Sequence, residues 1–116
     1  MKRRAVVTGL GLVTSLGRTI ETFWQRIVRG DSGVGPIDLF GVEGYRVQFG
    51  GQVHWHAESE DIAPPKELKR LDRFTQFALA SAKDAVADSG LDFSKEDPFR
   101  CGVVIGSGIG GLWEFE

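Results

Sequence analysis

The chain has one cysteine, two histidines and four prolines among its 116 residues. A lone thiol, Cys101, cannot close an internal disulfide, which points to a reducing cytoplasm rather than a disulfide-stapled exterior. No window approaches the roughly 18 apolar residues of a membrane span. Lys2, Arg3 and Arg4 run straight into the apolar residues 5–7, so no signal-type apolar segment is expected and no membrane partner is implied. Charge of one sign is also lacking: 14 Lys and Arg oppose 16 Asp and Glu, a net charge of −2. That balance gives no global reason to bind nucleic acid, and any electrostatic partner must be recruited by a local cluster.

Hydrophobic residues at 41% and charged residues at 26% are ordinary for a globular domain. At this length one domain could bury about two-thirds of the surface that its unfolded chain exposes. The conspicuous residue is glycine, with 16 copies. Five of them fall within residues 101–111, where Cys101, Gly102, Val103, Val104 and Ile105 lead into Gly106-Ser107-Gly108-Ile109-Gly110-Gly111. A short β-branched run that breaks into glycines reads as a buried strand ending where something approaches the backbone closely. Gly106, Gly108 and Gly111 also satisfy the dinucleotide fingerprint, which keeps a nucleotide-binding oxidoreductase fragment as an alternative. That fingerprint further needs a following helix and an acidic residue about 20 positions on, and the sequence ends at Glu116.

A second strand of the same kind is expected at residues 5–8, ending in Gly9 and Gly11. Ile20, Phe23, Trp24, Ile27 and Val28 then form one helical stripe, with Thr19 as N-cap, Glu21 in the first turn, and Arg26 and Arg29 before a closing Gly30. Phe23 and Trp24 read as core. Residues 31–44 read as loop, and Tyr45, Val47, Phe49 and Val53 alternate with polar residues as an edge strand would. His54, His56 and Glu58 share one side of that strand, but on a polar face before an acidic loop they read as solvated groups rather than a metal site.

Pro64 and Pro65 suit the first turn of a new helix, on which Lys66, Lys69 and Arg70 share a face opposite Leu68 and Leu71. The helix either continues through Arg73 or stops and restarts with Asp72 as a cap. From the residues alone, the basic stripe is a solvated face. Residues 74–89 are rich in alanine and read as a buried central helix ending at Gly90, followed by a loop to Arg100. Cys101, opening an apolar run, reads as a small buried hydrophobe rather than a nucleophile.

Taken together, Val6-Val7-Thr8-Gly9-Leu10-Gly11, the later Gly106-Ser107-Gly108-Ile109-Gly110-Gly111, and between them Asp72-Arg73-Phe74 and Asp88-Ser89-Gly90-Leu91 resemble the type II β-ketoacyl-acyl carrier protein synthases, condensing enzymes of the thiolase superfamily. The resemblance runs through the whole chain but implies only the N-terminal part of such an enzyme, residues 1–116 being part of its first half. The implied fold is α/β and thiolase-like, with two α/β/α halves, each holding a mixed sheet. The implied activity is decarboxylative condensation of an acyl thioester with a malonyl-carrier thioester in fatty acid elongation. No cofactor and no metal is implied, and the complete protein is expected to be a homodimer. The family's cysteine and histidines fall beyond Glu116, so no catalytic residue is expected in this chain, which alone should be inactive. Lys66, Lys69 and Arg70 match positions that receive the acidic acyl carrier protein, and Ile109 matches a position lining the acyl-chain cavity. A catalytically empty carrier-binding module, like the chain-length-factor partners of polyketide synthases, remains a second alternative.

Overall fold

The computed structural model describes residues 3–57, 60 and 62–111. Its first helix, α1 (Ile20–Arg29), begins where Thr19 takes an extended backbone and accepts from the Thr22 N–H at 3.2 Å. It ends at Gly30, whose φ of 76° lies in the left-handed region that side chains disfavour. The Gly30 and Asp31 N–H groups close the last turn by donating to the Ile27 and Arg26 carbonyls, both at 2.9 Å. Two three-residue strands follow, β1 (Val34–Pro36) and β2 (Phe49–Gly51), paired antiparallel with Gly35 opposite Gly50.

The second half is helical. A single turn, α2 (Pro65–Leu68), is separated by an elbow from the longest element, α3 (Arg73–Ser89). The restart lies at Asp72, which has the extended backbone of a cap although its side chain makes no capping bond. Gly90, at φ 65°, ends α3 in the left-handed region. Two 3₁₀ turns, Phe93–Lys95 and Pro98–Arg100, are each opened by an aspartate, Asp92 and Asp97, whose carboxylate accepts from a backbone N–H two residues on. No helix among the described residues is long and apolar enough to cross a membrane.

Both glycine-rich segments touch α3. Ala57, Leu68 and Ala80 are the buried apolar residues, and Gln76 is the buried polar one. The N-terminal glycines lie directly on the helix: a Cβ on Gly9 would stand 2.1 Å from the Ala85 carbonyl oxygen, and one on Gly11 would stand 2.0 Å from that of Ser81. The segment therefore runs antiparallel to α3 with two residues per helical turn, and only glycine permits that approach. The Leu10 N–H, between them, donates to the Asp88 carboxylate at 2.9 Å. The second glycine segment meets the other end of the same helix, where a Cβ on Gly110 would stand 2.7 Å from the Phe74 ring.

Several expectations are corrected. Residues 5–8 and 101–105 form no strand, and Val6, Val7, Val103 and Val104 are exposed. A strand exists only through its ladder, and no described strand lies beside either segment. The alternation across residues 45–53 yields only the three residues of β2, while β1 forms in the stretch read as loop. Trp24 is exposed, because no described sheet covers the apolar face of α1, and Cys101 is exposed for the same reason. α3 buries only Gln76 and Ala80, so it is central in position but covered on one side.

Candidate functional site

The basic trio sits at the elbow between α2 and α3. Pro64 and Pro65 fix the backbone at the start of α2, and the Glu67, Leu68 and Lys69 N–H groups close the turn onto the carbonyls of Pro64 and Pro65. Leu68 points inward and is buried, which turns Lys66, Lys69 and Arg70 outward; all three are exposed, and none forms an ion pair among the described residues. Three cations within five residues thus form a local positive patch on a chain of net negative charge.

Two arginines anchor this corner from behind. Arg73, in the first turn of α3, donates to the Val53 and Trp55 carbonyls at 3.0 and 2.8 Å, with its guanidinium 4.8 Å from the Phe77 ring centroid. Arg18 is the hub of the other side. It donates to Asp84 on α3, to Glu60 at 2.6 Å and to the Leu12 carbonyl at 3.1 Å, and stacks 5.2 Å from the Trp55 ring centroid. Trp55 itself donates its indole N–H to Glu60 at 2.8 Å. The bond to Asp84 holds the Arg18 guanidinium above its ordinary value, desolvation acts the other way, and Glu60 adds to the rise. The sequence contains no signal that residues 18, 60 and 84 meet; Gln76, polar on an alanine-rich helix, is a visible anomaly.

Among the cavities formed by the described residues are three of note. One of about 400 Å³ opens beside Arg18, Asp84 and Asp88. A polar one of about 190 Å³ lies between Ser15, Arg26, Gln52 and His54. The third, about 290 Å³, is walled by Phe74, Leu79, Val103, Ile105 and small residues of α3, with Thr75 as its one polar residue, between α3 and the approach to the second glycine segment. Ile109 lines none of the three and is 77% exposed.

Cys101 is exposed, with its thiol donating to the Asp97 carbonyl at 3.4 Å. His54 stands 3.5 Å from the Asp38 carboxylate, and Glu58 lies outside the described residues. Among the described residues, no three potential ligands converge on a metal-sized site.

Glycine-rich segments lie on one long helix beside a basic elbow, and the fold that holds them is similar to that of a ketosynthase. A solved structure of the ishigamide ketosynthase/chain length factor superposes with a TM-score of 0.65 at 30% identity, covering 77% of this chain and 22% of that one. The sequence profile of the family described as beta-ketoacyl synthase, N-terminal domain, matches residues 2–115, and the chain belongs to that family. The 3-oxoacyl-[acyl-carrier-protein] synthase 2 of Synechocystis sp. is 40% identical over 96% of this chain, and that of Staphylococcus aureus is 39% identical over 98%. The chain spans 26% and 27% of those two proteins, about a quarter of their length. The glycine run at residues 106–111 thereby belongs to a synthase family and not to a dinucleotide-binding one.

Proposed function

We propose that the chain is the N-terminal part of the first α/β/α half of a thiolase-like β-ketoacyl synthase that elongates acyl chains by decarboxylative condensation. In that reaction the acyl group passes from a carrier thioester to an enzyme cysteine. Loss of carbon dioxide from a malonyl-carrier thioester then leaves a carbanion that attacks the acyl carbonyl and releases the cysteine. None of these steps is assigned to a residue of this chain. Cys101 lies on an exposed segment with its thiol against the Asp97 carbonyl, whereas a nucleophile of this type stands at a turn with a base beside it.

What this chain contributes is reception. The carrying observation is that Lys66, Lys69 and Arg70 stand exposed at the elbow, without an ion pair among the described residues, in a chain matched along its length by acyl-carrier-protein synthases. An acidic carrier is drawn to such a patch by field as well as contact, and that attraction is screened over about 8–10 Å. In a complete synthase carrying residues 1–116, Lys66→Glu with Lys69→Glu raises KM for acyl-carrier substrates and flattens its dependence on salt. Equal carrier affinity of the two proteins at low salt would sink the assignment.

A second reading is favoured by the ketosynthase/chain length factor likeness: a partner subunit that receives carrier but has no nucleophile. Reading the gene past Glu116 separates them, since the enzyme requires a cysteine at a strand-to-helix turn and two later histidines.

A further inference from the structure

Among the described residues Gln76 has the one buried polar side chain, at 8% exposure. Its carboxamide donates twice, to the Leu68 carbonyl at 3.2 Å and to the Leu71 carbonyl at 2.8 Å. These two oxygens bracket residues 69–71, the segment that contains Lys69 and Arg70. One rigid, planar group on α3 thus holds both ends of the segment bearing two of the three cations, and Lys66 lies one short step earlier on α2.

The elbow needs such a clamp. A four-residue helix makes too few hydrogen bonds to be stable by itself, and Leu68 is its only buried residue. One apolar contact fixes how deep α2 sits but leaves it free to swivel, whereas two directed hydrogen bonds from a second element remove that freedom. α3 is long and held along its length by Arg18, Arg73 and the glycine contacts, so its Gln76 is a fixed reference.

We propose that Gln76 is a positioning residue for carrier docking: by clamping the Leu68 and Leu71 carbonyls it sets the direction in which Lys69 and Arg70 meet the carrier. The proposal rests on the assignment of the basic trio to carrier reception. Gln76 touches no substrate and bears no charge, so its effect lies in geometry alone.

The test uses a complete synthase carrying residues 1–116 and two variants. Gln76→Met keeps the length of the side chain and removes both donors; Gln76→Glu keeps its shape and sets a carboxylate against the two oxygens. Both are expected to raise KM for acyl-carrier substrates roughly threefold to tenfold, the effect of one or two hydrogen bonds. The kcat value, the salt dependence of KM and turnover of acyl-pantetheine, which has no carrier protein to dock, stay as in the parent. A carrier KM unchanged in both variants, while Lys66→Glu with Lys69→Glu raises it, overturns the proposal and leaves the trio standing. If that charge reversal has no effect either, the trio assignment has failed and the proposal with it. Equal losses on carrier and pantetheine substrates also overturn it, because they mark Gln76 as general structure.

Discussion

Gly11→Ala adds one methyl group, and the structure says where it would go. The new carbon would stand 2.0 Å from the Ser81 carbonyl oxygen, 2.8 Å from the Ala85 nitrogen and 2.9 Å from the Asp84 Cβ. The two nearest obstacles are backbone of α3 and cannot rotate away, so the segment must lift by about 1.5 Å, the shortfall from ordinary van der Waals contact. Overpacking of this sort costs about 1–3 kcal/mol, and here the upper end applies because lifting the segment also strains the Leu10 bond to Asp88 and the Arg18 bond to Asp84. Gly9→Ala, at 2.1 Å from the Ala85 oxygen, is expected to match it. Gly17→Ala is the internal comparison: its methyl carbon would meet the Thr22 Cγ2 at 3.1 Å, the end of a side chain that can give way. In thermal unfolding of a complete synthase carrying residues 1–116, Gly11→Ala and Gly9→Ala lower the midpoint by about 3 °C, and Gly17→Ala by about 1 °C or less. Equal midpoints for Gly11→Ala and Gly17→Ala would show that the segment does not rest on α3 as described.

Two further outcomes are expected. The Asp31 carboxyl is held below its ordinary value of 3.8 by its bond to Arg29, with Arg26 adding to the effect. Its folded-state value is depressed, so its stabilisation of the α1 terminus is complete above the unfolded-chain value near 4 and is lost as pH falls through the lower folded value; Asp31→Asn therefore reduces stability at neutral pH and removes that part of the acid limb, as pH-dependent denaturation would read. Ile109→Phe in a complete synthase shifts products toward shorter acyl chains with short-chain turnover kept, if residue 109 lines the acyl cavity; lowered thermal stability with an unchanged product profile refutes that role.

The parts of this fold that were legible in the sequence are those whose causes are local. Thr19, the stripe from Ile20 to Val28 and Gly30 specify α1 almost to the residue, and Gly90 does the same for the end of α3. The restart at Asp72 was one of two readings the residues allowed. Strands were not legible, because pairing depends on chain distant in sequence: Val6 and Val104 have strand-forming side chains but no described neighbour, whereas Gly35 and Gly50 pair despite poor propensity. Gly9 and Gly11 read only as the end of a buried strand; their close approach to α3 depends on residues 81–89, far away in sequence. For the candidate site, exposure of Lys66, Lys69 and Arg70 followed from the helical stripe. Gln76 and Arg18 act through carbonyls and carboxylates 5 to 66 residues away, and no periodicity encodes such partners.

The Arg18 hub also bears on the order in which the chain folds. Its bonds to Glu60 and Asp84 span 42 and 66 residues, whereas α1 and α3 are built from contacts four residues apart and can form in about a microsecond. Loops of that length must close before the guanidinium finds its acceptors, so these bonds belong to the late side of the folding barrier. Interactions made after the barrier act as a lock on the folded state: they hold down the rate of unfolding and leave the rate of folding almost untouched. Arg18 therefore governs how long residues 3–18 stay on α3 more than how quickly they arrive there.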